Sequence, residues 1–427
     1  MSDFIVTNAT TKSGHRVDIE IRGGQIDTIT DTGTSDEAAF DQTKSFDAEE
    51  RLVTSSFTEP HTHLDSAMTV DAAEPNETGT LEEGWELWQA LRKELDSDDV
   101  KRRARQTLEW FLLNGITRVR SHVDVTAPHW ENLDALLEVR EEFSDVIDLQ
   151  LVAFPIDSVS HDPETIDQIE QALKMGVDVV GGLPHGEHGR EAGVEHVRRV
   201  VELADEHDRP LDLHIDETDD PNSRFTEILA VEARKRGLGS RTTASHVTAM
   251  HSYPNSYAQS VASLLAETGV SVITNPLANS ILQGRYDDYP RRRGYTRIRE
   301  LRELGVSVGI GQDDIIDSTY QYGDGDPLTA AHVLVHFAHM NRKQDIDGIW
   351  QMLLEESATA IGAKGKLEEG AEGSIVVHGG TNPFDVLRTQ APRALVVKNG
   401  VPVAKGSRSS TICIDGEREV DFTSYDS

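Results

Sequence analysis

The chain has 427 residues, with 75 Asp and Glu against 41 Lys and Arg, giving a formal net charge of −34. That charge repels polyphosphate backbones and anionic lipid surfaces, which argues against nucleic-acid or membrane partners, and no apolar run approaches the ~18 residues of a membrane span. The lone cysteine, Cys413, excludes an intrachain disulfide and a Cys-rich zinc site, so any metal must sit on His and carboxylate.

The opening residues, MSDFIVTNAT, lack the basic-then-apolar layout of a secretory leader, and a cytoplasmic protein is expected. The acidic excess is spread along the chain and the basic residues are mostly Arg. A dispersed carboxylate surface keeps a protein hydrated where salt screens charge repulsion, so adaptation to a high-salt (halophilic) cytoplasm is expected.

Residues 4–30 read as a meander of short strands, with β-branched runs broken by Ser13-Gly14 and Gly23-Gly24. Eight apolar, strand-like runs follow at 56–64, 117–125, 149–154, 177–183, 211–215, 242–246, 270–274 and 306–310. Amphipathic stretches separate them: Val194, Val197, Val201 and Ala204 share one helical face, as do Ile298, Leu301 and Leu304. Eight β/α units predict a closed (β/α)8 barrel of the TIM type, an α/β fold. Near the C-terminus, residues 375–377, 394–397 and 401–404 form a second set of strands, the last two joined by the Asn399-Gly400 turn. The two chain ends are expected to pair in one small β-domain, so that 1–55 and 372–427 flank a barrel at 56–371.

His61-Thr62-His63 closes the first strand-like run. Residues i and i+2 of a strand point the same way, so both imidazoles can enter the C-terminal mouth of the barrel, where barrel enzymes keep their sites. His214 ends the fifth run, His246 the sixth, and Asp313-Asp314 the eighth, all at the same mouth. This convergence of histidines and a carboxylate makes a mixed N/O site with room for water, suited to one Zn2+ or Fe2+. Glu217, just past the fifth strand, is placed to act as a general acid and base if burial raises its pKa. His332, His336 and His339 lie on one helical face but lack the carboxylate of an HExxH pattern, and read as a packed or wet helix face. Arg291 to Arg293 read as a loop surface, whereas Gln283-Gly284-Arg285 are candidates for lining the pocket.

The strings FTEPHTHLDS, VRSHVDV, LHIDETDDPNSRF, ASHVTAMHSY, NPLANSILQGRYDDYPRRRG and GQDDIID together resemble the cytosine deaminase branch of the amidohydrolase superfamily. The resemblance runs through most of the chain. It implies a barrel carrying a small β-sandwich built from both termini, one catalytic iron or zinc held by His61, His63, His214 and Asp313, a proton shuttle at Glu217, and a metal-side histidine at His246. Homo-oligomerisation is implied as well. Two positions depart from the cytosine-specific pattern: Ile156 stands where a glutamine would meet the pyrimidine edge, and Thr319 where a tryptophan would wall the pocket. Ile156, Thr319 and Asp314 are therefore the expected substrate-facing residues, with Tyr320 or Tyr322 as candidates to replace the lost aromatic. The function expected is hydrolytic deamination of cytosine or a related amino-substituted heterocycle with release of ammonia, using Glu217, His246 and Asp313 as catalytic groups. A cyclic-amide or N-alkylamine hydrolase on the same scaffold, and a non-catalytic metal-binding relative, are the competing readings.

Overall fold

The computed structural model describes residues 3–33, 44–413 and 418–421. The first strands, β1 (Phe4–Thr10), β2 (Arg16–Arg22) and β3 (Gln25–Asp31), form the expected antiparallel meander. Gly23 and Gly24, at φ 58° and 86°, make the β2–β3 turn, a backbone that L side chains rarely adopt. A short β4 (Ser45–Asp47) adds parallel to β1, and β5 (Val53–Ser55) crosses to a second sheet.

The barrel follows as β6 (Phe57–Thr62), β7 (Ile116–Asp124), β8 (Asp148–Phe154), β9 (Val179–Gly182), β10 (Leu211–Ile215), β11 (Thr242–His246), β12 (Ser271–Thr274) and β13 (Val308–Ile310). All eight are parallel and lie in sequence order, each within a few residues of the run that predicted it. A parallel bridge between Thr62 and Asp313 joins the first strand to the last, with Asp313 N–H donating to the His61 carbonyl at 2.8 Å. The expected helix faces pack inward: Val197, Val201, Ala204, Ile298 and Leu301 are buried.

The chain returns as β14 (Ile375–His378), β15 (Arg393–Lys398) and β16 (Val401–Ala404), and β14 pairs antiparallel with β5. The two four-stranded sheets share one apolar core: Val6, Ile19 and Ile21 from the first meet Ile375, Val377, Leu395 and Val397 from the second. This is a sandwich made from both ends of the chain. Lys398, with its side chain 1% exposed, docks it beneath the barrel by binding Asp148 at 2.6 Å and Glu372 at 2.5 Å. Residues 1–2, 34–43, 414–417 and 422–427 of the expected terminal segments lie outside the described residues.

One helix inserted between β6 and β7 covers the barrel mouth. This is α1 (Leu81–Leu91), whose first turn is capped by Thr80 accepting from Glu83 N–H at 3.3 Å. It buries Leu81, Gly84 and Trp88. The helix of His332 and His336 ends at Phe337; His339 lies beyond it at φ 54°, so only the first two share a helical face, with their Nε2 atoms 3.0 Å apart.

Candidate active site

The structure brings His61, His63, His214 and Asp313 together at the barrel mouth. Nε2 of His214 lies 3.2 Å from Nε2 of His61 and 3.0 Å from Nε2 of His63, while Oδ1 of Asp313 lies 3.3 and 3.4 Å from the same two nitrogens. His246 joins from β11, so that ligand atoms of His61, His214, His246 and Asp313 fall within 4.8 Å of one another. His246, at the end of β11, and Asp313, three residues past β13, both lie in the left-handed region, at φ 72° and 70°. Non-glycine residues are costly there, by about 1–3 kcal/mol each, and such strain gathers where side-chain aim matters.

A hydrogen-bond chain fixes the tautomer of His61. The Ser245 hydroxyl donates to Asp212 Oδ1 at 2.7 Å, and Arg120 secures the other oxygen of Asp212 at 3.0 Å. Having spent its proton on Asp212, Ser245 Oγ accepts from His61 Nδ1–H at 2.9 Å. The His61 Nε2 lone pair therefore faces the cluster. Burial and the surrounding imidazoles hold His214 well below the ordinary histidine range, which keeps it neutral and ligand-competent. Lone pairs this close repel unless a cation lies among them. Three imidazoles with one carboxylate are a donor set that fits a divalent first-row ion.

Glu217 is 4% exposed and stands beside this cluster. Its Oε1 accepts from Asn279 Nδ2 at 2.8 Å and lies 3.2 Å from His246 Nδ1. Burial, reinforced by the Asp313 charge, pushes the Glu217 carboxyl well above the usual carboxylate range. Burial takes His246 the other way, down to about 3. Asp313 keeps its charge in spite of burial because His246, His61 and His63 hold its carboxyl far below the usual range. Burial and the charges of Asp317 and Asp313 push the Asp314 carboxyl well above the usual carboxylate range, and burial raises Asp317 as well.

Above the cluster is a cavity of about 50 Å3. His63, His214, Glu217 and Asp313 line its polar side, with Asp314 and Thr319 at the edge. Its apolar side is Phe154, Ile156, Trp85 and Trp88. Phe154 stacks on His214 with ring centroids 4.2 Å apart, and Trp88 Nε1–H donates to Asp124 at 3.1 Å. The aromatic wall thus comes from α1 and β8. Neither tyrosine considered for it lines this cavity: Tyr320 is buried elsewhere, and Tyr322 is 61% exposed. Thr319 instead packs on α1, where a Cβ built on Gly84 would meet Thr319 Oγ1 at 3.0 Å and its Cα at 3.3 Å. A neighbouring chamber of about 700 Å3 takes in Gln283 and Arg285. Arg292 is tied to Asp287 at 2.6 Å on the loop surface.

Several contributors carry weak sequence signals. His122, two residues before the end of β7, is fully buried with its ring centroid 4.1 Å from that of His61. Its place at the end of an apolar strand was the same signal that marked His214. Ser245, Asp212 and Asn279 have no motif of their own; the first two act through the register of neighbouring strands, in which His214 lies opposite Ser245, and Asn279 reaches Glu217 from the short helix Pro276–Leu282.

The amidohydrolase family model matches residues 68–404. The crystal structure of 5-methylcytosine deaminase from Klebsiella pneumoniae liganded with 5-fluorocytosine superimposes with a TM-score of 0.90 at 36% identity, covering 95% of this chain and 98% of that one. N-isopropylammelide isopropyl amidohydrolase of Pseudomonas sp. (strain ADP) is 27% identical over 418 residues, 94% of this chain and 97% of its own. Pterin deaminase of Rhizobium rhizogenes is 27% identical over 399 residues, 90% of this chain and 87% of its own. Matched along most of its length, the chain belongs to the amidohydrolase family and is a hydrolase of carbon–nitrogen bonds other than peptide bonds.

Proposed function

We propose that the protein is a metal-dependent aminohydrolase that replaces the exocyclic amine of a cytosine-like ring by oxygen, releasing ammonia, and that it favours a ring alkylated on the edge facing Ile156. The observation that carries this reading is the buried Glu217, held by Asn279 and 3.2 Å from His246, beside a His/Asp cluster that lines the same small pocket. In this reading His61, His63, His214 and Asp313 hold one divalent ion, Zn2+ or Fe2+, which when bound lowers the pKa of water and makes it nucleophilic near neutral pH.

The chain's own groups then handle the protons. Glu217 donates to the ring nitrogen beside the attacked carbon, which makes that carbon electrophilic. As water adds, Asp313 accepts its proton, and His246 orients the oxygen and steadies the developing charge. The carbon–nitrogen bond breaks as the amine takes up the proton held by Asp313 and the proton left on the added oxygen returns to Glu217, leaving a ring carbonyl and ammonia. Glu217, hydrogen-bonded to Asn279 and beside His246, is held in position for this shuttle.

Ile156 offers neither donor nor acceptor, so a polar ring edge against it would be left unpaired, whereas a methyl group would be buried with gain. The ring for which the 36% identical deaminase is named, 5-methylcytosine, is such a ring. The 27% identical isopropyl amidohydrolase supports a second reading, removal of an N-alkylamine by the same groups. Ammonia and alkylamine release from cytosine, 5-methylcytosine and N-alkylaminotriazines by metal-loaded protein separates the two. Absence of turnover on every ring defeats both.

The segments 1–55, 56–371 and 372–427 are proposed as the domain division. A homo-oligomer in a high-salt cytoplasm acting on small heterocycles, with no nucleic-acid or membrane partner, completes the proposal. No helix among the described residues is long and apolar enough to cross a membrane.

A further inference from the structure

Trp85 belongs to two cavities. It lines the 50 Å3 pocket over the His/Asp cluster and also the 700 Å3 chamber beside it, and among the described residues only Leu81 and Glu217 share that double position. On the chamber side its ring lies 6.0 Å from that of His185. We infer that Trp85 is a partition that fixes substrate size, confining the enzyme to monocyclic rings by closing off space that would otherwise admit the second ring of a bicyclic amino-heterocycle.

The support for this partition is built into α1. Trp88 Nε1–H and Arg92 both bind Asp124, at 3.1 and 2.9 Å, and Arg92 also makes two 2.9 Å bonds to Asp157. These contacts fix the C-terminal end of the helix without involving Trp85. At its start, Asn76 donates to the carbonyls of Thr80 and Ser318 at 3.0 and 3.1 Å, and the Arg285 guanidinium lies flat on Gly79, within 3 Å of where a Cβ would stand. In the middle, Gly84 touches Thr319. A small residue at 319 therefore lets the helix come close enough for Trp85 to reach the pocket. Loss of an aromatic at 319 and gain of one from α1 are two sides of one arrangement, and Thr319 acts as a positioning residue for Trp85.

The inference rests on the ring-hydrolase reading, and its test includes a measurement that does not. Dissociation constants for a monocyclic and a bicyclic keto-ring product analogue are measured by calorimetry, and kcat/KM for the corresponding amino-pyrimidine and amino-pteridine by ammonia release, on metal-loaded parent, Trp85→Phe and Trp85→Ala. Removing the partition should raise the bicyclic-to-monocyclic preference about 100-fold in Trp85→Ala, mostly through binding and KM, with Trp85→Phe between it and the parent. A preference unchanged within about threefold in binding and turnover, in a variant that melts like the parent, overturns the inference. Should Trp85→Ala fail to fold, Trp85→Phe decides by the same ratio. If the parent turns over no ring, the proposed function falls, and the binding ratio still decides the partition.

Discussion

Replacing Ser245 by alanine tests the tautomer argument without touching a proposed ligand. Among the described residues the hydroxyl is the one acceptor bound by His61 Nδ1–H, and it also donates to Asp212 Oδ1. Without it the imidazole can turn its proton toward the cluster, where an N–H cannot ligate. Loss of such an orienting partner costs about 10- to 100-fold in metal affinity, or about 1.4–2.7 kcal/mol. Two fully buried groups also lose a hydrogen bond, so the metal-free fold should weaken by about 1–3 kcal/mol. Zinc titration against a chromogenic chelator reads the first quantity, and the melting temperature of metal-stripped protein reads the second. His61→Ala, which deletes the donor, sets the full loss of affinity for comparison. If Ser245→Ala binds zinc like the parent while its metal-free form melts lower, the hydroxyl serves the fold alone and the tautomer argument is wrong.

Glu217→Gln keeps the size of the side chain but cannot transfer a proton; turnover should drop about 10²-fold or more while metal content, measured by elemental analysis, is unchanged, and near-normal turnover would remove the shuttle. Ile156→Gln should raise cytosine kcat/KM about tenfold and lower that of a 5-alkylated ring, and the reverse order would refute the specificity argument. Thr319→Trp should not add to that gain, because its indole would press on Gly84 and displace α1; an additive increase in the double variant counts against the packing described. With a net charge of −34, melting temperature should climb from dilute buffer to molar KCl as the screening length shortens from ~10 Å at 0.1 M to ~3 Å at 1 M. A flat or falling curve contradicts salt adaptation.

The barrel is legible because its strands are short apolar runs spaced by amphipathic stretches, and the sandwich because Gly-Gly and Asn-Gly turns mark hairpins at both ends. The cluster followed from the same pattern, since His61, His63, His214 and Asp313 occupy strand ends that the barrel brings to one mouth. Contacts set by three-dimensional register were not legible. Ser245 and Asp212 look like ordinary strand residues until β10 and β11 lie side by side. Trp85 and Trp88 carry no motif, and nothing local says that the helix bearing them lies over the mouth. Tyr320 and Tyr322 were attractive through proximity in sequence to Thr319, but a loop that turns at Asp317 carries them away: Asp317 accepts from the backbone N–H of Thr319 and Tyr320 at 2.8 and 2.9 Å. His339 was separated from its helix by a left-handed backbone that no glycine announces.

The bridge between Thr62 and Asp313 couples closure of the barrel to completion of the cluster. His61 and His63 come from the first barrel strand and Asp313 from the end of the last, so an open sheet has no complete site. An ion that binds only the closed form favours it by mass action, with a free energy that grows as RT ln(1 + [L]/Kd). Such an ion acts as a latch on the longest chain closure in the barrel. Hydrogen exchange should accordingly slow most on metal addition at the β6–β13 seam, where Asp313 N–H meets the His61 carbonyl. Metal supply would then govern how much closed barrel accumulates as well as how fast it turns over its substrate.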